Sequence, residues 1–394
     1  CQYIHRICVG SNMKTTFTFI LLFFFLGCSK SEKIDAAAQD QLPSHVKVEY
    51  KDGIKYVYNS QIPYSEDVLQ LDLVLGEDEV KGVFFSGMPY PHEDHAGNIY
   101  AYNFRQEILK FSNDGEFIKK IGRKGQGPGE FVSGPIDIDF YPDNRMLVVE
   151  GNSSRFQIFS PEGKYLDGHR RPDDRPGRFA MDNKGFIYEP VFGIFEVLEN
   201  PDSIESKEVP LLQRVDQNFQ VVGYIGKAII PDDPMLFTYY NSSFKGIDNN
   251  GRIIFSYLYR NRIEIYQNDQ LHSVISRHIN FKLHEPEAII HKKGEDSITF
   301  SLDFEQLLRG YGMAVDSLNN FYMLVKSRGR GEDKPVFRGK EFSFILEIFN
   351  SEGWLVKSIP ILDCNPNYIS VGKGNKIYMN DPKNYTVIRY KAVM

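Results

Sequence analysis

The densest group of metal-ligand side chains in this sequence is the run His92-Glu93-Asp94-His95. Imidazole nitrogens and carboxylate oxygens bind Zn²⁺ in proteins, and carboxylates also bind Ca²⁺. The spacing indicates no third, distant ligand, and the histidines do not follow the spacing of zinc proteases. We therefore expect a solvent-exposed turn at these four residues and no metal site.

A second candidate is the glycine-rich run at residues 122–131, Gly-Arg-Lys-Gly-Gln-Gly-Pro-Gly-Glu-Phe. The exposed backbone N–H groups of such a loop could bind a phosphate. However, the run lacks the Gly-Lys-Ser/Thr ending of a P-loop, and no helical pattern follows it. We favour a structural role, in which the glycines permit a sharp turn, Phe131 fills the core and Glu130 caps local N–H groups.

A third group consists of basic and aromatic residues that could bind an anion or a partner protein. The predicted ligand-binding residues are Arg123, Lys124, Arg155, Arg171, Tyr259 and Arg260. The chain carries a formal net charge of −6, so arginines gathered on one face would favour a polar or anionic ligand. The equally weighted alternative is that these arginines pair with neighbouring carboxylates such as Asp173 and Asp174. The acidic chain has no basic block of five or more residues, which argues against nucleic acid as a partner.

These side chains must be positioned by a repeated β-structure. Six times, a turn containing Gly or Asn is followed by a short strand, a polar turn and a second strand that closes on an aromatic residue. The clearest copy runs from Gly97 to Gly122. A period of roughly 40–50 residues with about four strands per unit is typical of a β-propeller. The sequence therefore predicts an all-β fold, a six-bladed β-propeller with four-stranded blades.

The two ends of the chain are expected to meet in one blade. The sixth copy stops at Met394 without its last strand, and residues 68–76 have the pattern of an outer strand. We expect this N-terminal strand to complete the last blade and close the ring, which leaves only short edges. A seventh blade would need a repeat hidden between Phe281 and Gln306, a stretch that we interpret as an insertion with a helical turn near residues 302–308.

Propeller geometry sorts the loops onto two faces. One face, here called the rim face, carries the loops from each outer strand to the next blade and the loops between second and third strands. It would carry the six predicted ligand-binding residues and two long insertions, residues 190–210 and 326–341. The run at residues 92–95 would lie in a turn on the opposite face.

The loop at residues 122–131 resembles the G-x-x-G-x-G-P-G-E-F loop of six-bladed, NHL-repeat-like propeller lipoproteins of gut-type Gram-negative bacteria. The resemblance extends over essentially the whole chain from about Tyr50. It implies the closed ring, a lipid anchor and a location in the cell envelope. That family has no assigned activity, so no catalytic residue is carried over.

The N-terminal segment has the features of a lipoprotein signal. Met13 and Lys14 precede the apolar run Phe17–Leu26, which is too short to span a bilayer and suits a secretory signal. Gly27 and Cys28 follow the run, as in a bacterial lipobox. We expect an upstream extension at residues 1–12, a signal peptide at 13–27, a flexible tether at 28–43 and the propeller at 44–394. Lipidation of Cys28 would anchor the protein in the outer membrane, facing the periplasm or the cell surface.

The sequence favours a monomeric, non-catalytic envelope lipoprotein that needs no cofactor. Its propeller face would bind a polar or anionic ligand, such as a glycan or peptide, or an envelope partner protein. The alternative is a metal-dependent hydrolase or lyase, lactonase-like or amidating-lyase-like, with its site in the central channel. Asp137, Asp139 and Asp182 are scattered candidates for that site, but the fold alone does not confer chemistry. A third possibility is a structural platform in an envelope assembly.

Overall fold

The computed structural model describes residues 31–32, 41–66, 69–76, 85–103, 106–150, 155–170, 177–191, 209–232, 236–279, 281, 288–292, 298–302, 310–328 and 332–391. Six antiparallel blades are arranged as a propeller, so the predicted fold class is confirmed. In these ranges the helical elements are the α-helix Phe237–Asn241 and the 3-10 turn Lys373–Asn375. Neither has the length and apolar character that crossing a bilayer requires.

Each of the first three blades is a four-stranded sheet that starts at the channel and ends at the outer surface. From innermost to outermost, the strands are Tyr90–Glu93, Ile99–Asn103, Glu107–Phe111 and Phe117–Ile121 in blade 1; Asp137–Phe140, Met146–Glu150, Arg155–Phe159 and Tyr165–Arg170 in blade 2; and Ala180–Met181, Ile187–Pro190, Pro210–Val215 and Val221–Lys227 in blade 3. Second strands such as Met146–Glu150 are buried throughout, because each blade packs between two others. Outermost strands such as Phe117–Ile121 are mostly exposed.

The last three blades repeat this arrangement. Their strands are Ser243–Ile247, Ile253–Tyr257, Ile263–Gln267 and Gln270–Ser276 in blade 4; Gly310–Val315, Phe321–Lys326, Phe344–Phe349 and Leu355–Ile361 in blade 5; and Ile369–Val371, Lys376–Asp381, Thr386–Lys391 and Gln70–Leu75 in blade 6. The outermost strand of blade 6 therefore comes from the N-terminal part of the chain. It pairs antiparallel with Thr386–Lys391, from Val387 opposite Leu75 to Lys391 opposite Gln70.

An N-terminal hairpin, with a two-residue strand on its outer edge, widens the sheet of blade 4 to seven strands. Its strands are Val46–Lys51 and Ile54–Asn59, and the second pairs in parallel with Gln270–Ser276. Ser31–Glu32, within the predicted tether, pairs with the other edge of the hairpin. The buried Asn59 side chain fixes the hairpin, because its Nδ2 donates to the carbonyls of Ser276 and Gly353 at 3.2 and 3.0 Å.

Two short hairpins lie in the insertions. Ala288–Lys292 pairs with Ile298–Leu302 between blades 4 and 5, and Val336–Phe337 pairs with Lys340–Glu341 in the insertion at 326–341. Leu302, where we predicted a helical turn to begin, ends a strand instead. The remaining residues of that predicted turn lie outside the described part of the chain.

Candidate functional site: the central channel

Two cavities open into the central channel, one from each face. The rim cavity has a volume of about 510 Å³ and is reached from the rim face, since its walls include the start of innermost strands and the loops after second strands. The opposite cavity, about 540 Å³, lies among the turns between first and second strands. Arg178, Ser243, Phe244 and Lys245 line both cavities. We call these four residues the waist of the channel.

Lys245 reaches the channel from the innermost strand of blade 4. The side chain is half-buried, because the cavities give it solvent contact although protein surrounds it. It forms no hydrogen bond or ion pair with any residue in the described ranges. Burial lowers the pKa of Lys245 to about 8; attraction by Asp137 opposes the decrease, and repulsion by Arg178 adds to it.

Arg178 is held by aromatic rings. Its guanidinium carbon lies 4.7 Å from the ring centroid of Tyr90 and 5.2 Å from that of Tyr368. The two rings are nearly perpendicular, at 88°, and contacts of this kind attract a cation through the ring quadrupole. Burial disfavours the charge, yet nearby Tyr102 and Asp137 raise the pKa of Arg178 above its ordinary value. Within the described residues, no carboxylate forms an ion pair with this guanidinium.

Two carboxylates attract these cations: Glu189 attracts Lys245 weakly, and the carboxylate of Asp137 attracts both. Its Oδ2 accepts the N–H of Phe179 at 3.0 Å, and its Oδ1 accepts the hydroxyl of Tyr102 at 3.1 Å. His92 Nε2 lies 3.8 Å from Oδ1 and hydrogen-bonds the hydroxyl of Tyr368. Burial lowers the pKa of His92 to about 4 despite the attraction of Asp137, so its imidazole is neutral at physiological pH. Both carboxylate oxygens of Asp137 therefore already accept hydrogen bonds from neighbouring protein groups.

The opposite cavity is acidic. Its wall includes Asp94, Asp182, Asp248 and Asp316, whose carboxylates each accept the N–H groups two and four residues ahead at 2.8–2.9 Å. Glu93, Asp137 and Asp139 bring the number of carboxyl groups in this wall to seven. Burial and the nearby charge of Asp137 raise the pKa of Asp139 to about 7, against two backbone N–H groups that lower it. Among the described residues, cations line the waist of the channel, and carboxyl groups line the opposite cavity but not the rim cavity.

The run at residues 92–95 differs from our expectation. His92 and Glu93 belong to the innermost strand of blade 1, and Asp94 is buried, so the prediction of a solvent-exposed turn holds for His95 alone. Glu93 accepts hydrogen bonds from the hydroxyl of Tyr378 and from Lys376 Nζ, the latter at 3.3 Å. Among the described residues, no three His, Cys, Asp or Glu side chains are arranged to hold a metal ion.

Three of the predicted ligand-binding residues surround the glycine-rich loop. Arg123 pairs with Glu130 at 2.8 Å, and Lys124 forms a β-bridge with Phe131. Arg155 donates to the carbonyl of Gly127 at 3.2 Å and lies 3.6 Å from a carboxylate oxygen of Glu150. These contacts brace the loop, and a role of these residues in binding stays a prediction.

Two others lie near the rim cavity. Tyr259 packs on Tyr239 with ring centroids 5.2 Å apart, and Arg260 lies over the ring of Tyr240 at 5.1 Å. Both tyrosines belong to the helix Phe237–Asn241, which contributes Phe237 and Asn241 to the cavity wall. Tyr259 and Arg260 therefore support that wall. Arg171 and the lipidation residue Cys28 lie outside the described residues, and their predicted roles stay predictions.

The structural interpretation of the glycine-rich loop is confirmed. Phe131 is fully buried, and Oε2 of Glu130 accepts the N–H of Gly127 at 3.0 Å. Gly122 has a φ of +77°, and a Cβ atom at that position would overlap the ring of Phe131. The close approach of the backbone to this ring explains the need for glycine.

Replacing Gly122 by alanine is expected to destabilise the protein more than replacing Gly251. Gly251 has a similar φ of +74°, and no atom of the described residues lies within 4 Å of its missing Cβ. Gly251→Ala should therefore cost only about 1–2 kcal/mol for the left-handed backbone. Gly122→Ala must also displace Phe131, which adds about 1–3 kcal/mol. Urea unfolding of both variants measures the difference. Equal losses would show that the contact with Phe131 does not require glycine.

No curated protein matches this sequence. Among solved structures, a protein of Bacteroides fragilis NCTC 9343, named as an exported protein, aligns at 9% identity with a TM-score of 0.54, covering 85% of this chain and 98% of that one. A member of the DUF4221 family from Bacteroides vulgatus ATCC 8482 aligns at 11% identity with a TM-score of 0.51, covering 83% and 98%. At such identities the similarity shows the fold alone.

Virginiamycin B lyase from Staphylococcus aureus aligns at 11% identity, covering 77% of this chain and 80% of that one, with a TM-score of 0.41, which supports no functional argument. The family match is more extensive than any local motif. Residues 93–306, more than half of the chain, match DUF5128, described as a 6-bladed beta-propeller, and the chain belongs to this family.

Proposed function

We propose that this protein is an exported, envelope-located binding protein that holds a small anionic ligand at the waist of its channel. The observation that carries the proposal is the pair of cations, Arg178 and Lys245, neither of which has an ion-pair partner in the described part of the chain. Both face cavities that open to solvent. An anion seated there would supply the missing counter-charge.

The energetics favour such a ligand. A cation enclosed by protein without a counter-charge is costly, and the cost is offset when an anion binds. Two unit charges 4 Å apart attract by about 4 kcal/mol at the effective dielectric constant of a protein site. Asp137 and Glu189 do not remove this need, since among the described residues neither forms an ion pair with Arg178 or Lys245. The oxygens of Asp137 accept hydrogen bonds from Phe179 and Tyr102, and Glu189 accepts one from Gln213.

Two observations support an envelope location. The segment from Met13 to Cys28 has the pattern of a lipoprotein signal, and the B. fragilis protein of similar fold is named as an exported protein. We propose that lipid on Cys28 anchors the protein in the outer membrane. The ligand would then be an envelope metabolite, glycan or peptide, or an acidic group of an envelope partner protein.

Binding takes precedence over the hydrolase or lyase alternative. That alternative needs three or more carboxylate or imidazole groups that converge on one point of the channel. Such a group is not found among the described residues. The three acids that we considered for it, Asp137, Asp139 and Asp182, all accept hydrogen bonds from backbone N–H groups.

Removing either waist cation is expected to weaken anion binding at least tenfold. The variants are Arg178→Gln and Lys245→Gln, and the probes are inorganic phosphate, D-glucuronate and decanoate, each titrated calorimetrically at pH 7. We expect the unchanged protein to bind at least one probe. The matched control is Arg145→Gln, because Arg145 also lies over a tyrosine ring, that of Tyr141 at 4.8 Å, but pairs with Asp143 away from both cavities.

Two results would contradict the proposal. One is that the unchanged protein binds none of the three anions. The other is that the double variant of Arg178 and Lys245 keeps the affinity of the Arg145→Gln control. Circular dichroism of each variant establishes that the fold is retained.

A further inference from the structure

We infer that the ligand is an amphiphilic acid, with one singly charged head group at the waist and an apolar body in the rim cavity. The inference rests on the proposed function and narrows its ligand class. It follows from three features of the channel: the wall of the rim cavity, the charge at the waist and the charge at the opposite end.

The wall of the rim cavity is mostly apolar above the waist, although Asn241, Ser242, Tyr311 and Asn367 also belong to it. Its apolar residues include Val191, Pro210, Leu211, Ala228, Phe237 and Leu258. Cavities with such walls and a few placed polar groups are typical of small-molecule sites, and about 510 Å³ lies in their usual size range. An apolar body gains free energy in proportion to the area that it buries against this wall.

Two polar side chains of the same wall, those of Asn241 and Asn367, already form hydrogen bonds within the protein. Asn241 donates from Nδ2 to the carbonyls of Ile229 and Phe237, both at 2.8 Å, and accepts the N–H of Ile229 at 2.7 Å. The Oδ1 atom of Asn367 accepts a hydrogen bond from Asn380 at 2.7 Å. A sugar or peptide backbone would bury polar groups against this wall with few partners, which costs about 1–3 kcal/mol per unpaired group.

The charge at the waist suits a single negative charge. Arg178 and Lys245 contribute two positive charges at pH 7, Asp137 contributes one negative charge, Glu189 attracts Lys245 more weakly, and His92 is neutral. A monoanion matches the positive charge that remains at the waist more closely than a dianion, which would leave excess negative charge in a protein-enclosed site. We therefore favour a carboxylate or sulfonate head group over a phosphate dianion.

The opposite end of the channel fixes the orientation. Its carboxylates repel an anion, so a head group at the waist gains nothing by moving past Arg178 and Lys245. The apolar body then points toward the rim face, where the wall is apolar. An acidic amphiphile can contact both the cations at the waist and the apolar wall of the rim cavity, whereas a hydrophilic anion can contact only the cations favourably.

The test is a series of probes that separate head group from body. Calorimetric titration at pH 7 compares decanoate with butyrate, 1-decanol, decylammonium, inorganic phosphate and D-glucuronate, each below its micelle concentration. We expect decanoate to bind at least tenfold more tightly than every other member. Butyrate has the same carboxylate head group but only a short alkyl chain. Decanol and decylammonium have the ten-carbon chain but no negative charge.

A variant of the wall completes the test. Leu258→Asn is expected to weaken decanoate binding at least fivefold and to leave butyrate unchanged, since Leu258 lines the rim cavity and would touch the body only. The control is Leu318→Asn, because Leu318 is 61% exposed in a turn on the other face and should change neither affinity.

The outcomes distinguish this inference from the proposed function. Binding of phosphate or D-glucuronate that depends on Arg178, without binding of decanoate, would overturn the amphiphile and leave anion binding in place. Equal binding of decanol and decanoate would show that charge is not recognised and would overturn both. Binding of none of these probes would also overturn both. Tight decanoate binding that is lost in Arg178→Gln and weakened in Leu258→Asn supports both.

Discussion

Replacing Glu347 by alanine is expected to lower the free energy of unfolding by about 3–5 kcal/mol. Glu347 accepts hydrogen bonds from Nε and Nη2 of Arg277 at 2.5 and 3.2 Å. The side chains of Arg277 and Glu347 are only 6% and 8% exposed, and the pair joins the end of blade 4 to blade 5. Without Glu347 the guanidinium stays buried with no counter-charge. Urea unfolding followed by circular dichroism measures the loss.

Two further variants interpret this result. The double replacement Arg277→Met and Glu347→Leu should be more stable than Glu347→Ala, because it leaves no unpaired charge behind. Glu49→Ala removes an exposed pair with Lys47, whose side chains are 42% and 64% exposed, and should change stability by less than about 1 kcal/mol. A loss as small for Glu347→Ala as for Glu49→Ala would show that the joint between blades 4 and 5 does not depend on the buried pair.

The propeller is predictable from the sequence because its signals are local and repeated. Each blade places a Gly or Asn turn between two short apolar strands, so six copies reinforce one interpretation. The structural role of the loop at 122–131 is also readable, since Phe131 and Glu130 act on neighbours within ten residues. The strand at residues 70–75 could be assigned because the last copy lacks an outer strand and this segment supplies one.

The hairpin Val46–Asn59 is not predictable in the same way. Its residues alternate like those of any outer strand, and its position depends on a parallel pairing with Gln270–Ser276, more than two hundred residues away. No local pattern specifies that partner. Asn59, which fixes the hairpin through Ser276, Gly353 and Leu355, reads in the sequence as an ordinary turn residue.

The waist cations Arg178 and Lys245 were not identified from the sequence, for a related reason. Five different blades contribute His92, Asp137, Arg178, Lys245 and Tyr368, so no two of these residues are close in sequence. The clusters that stand out in the sequence include run 92–95. In it, His92 and Glu93 hydrogen-bond side chains of blade 6, and Asp94 accepts N–H groups of its own turn. Arg155 also stands out in the sequence, but its side chain donates to a carbonyl of the loop at residues 122–131. A weak signal existed, because Lys245 interrupts an innermost strand that has no other charge.

The charge of the channel is expected to depend on pH through two groups. Lys245, with a pKa near 8, faces Asp137, Glu189 and Arg178, and it loses its positive charge as the pH rises. Asp139, with a pKa near 7, gains a negative charge as the pH rises from about 6 to 8. His92 stays neutral above about pH 4, and burial raises the pKa of Tyr90 and of Tyr368 above the ordinary tyrosine value. The loss of positive charge on Lys245 and the gain of negative charge on Asp139 both weaken the binding of an anion.

Decanoate binding is therefore expected to weaken about hundredfold between pH 6 and pH 10. The protonated form of Lys245 binds the anion, so binding above pH 8 requires proton uptake, and each further pH unit costs up to about tenfold in affinity until the pKa of the complex is reached. The carboxylate probe is ionised throughout, because ordinary carboxyl pKa values are about 4. Titrations at five pH values measure the profile, and circular dichroism at pH 10 checks the fold. In Lys245→Gln the decrease above pH 8 should disappear, and in Asp139→Asn the decrease between pH 6 and 8 should become smaller. A profile that is flat in the unchanged protein, or identical in Lys245→Gln, would remove Lys245 from the anion site.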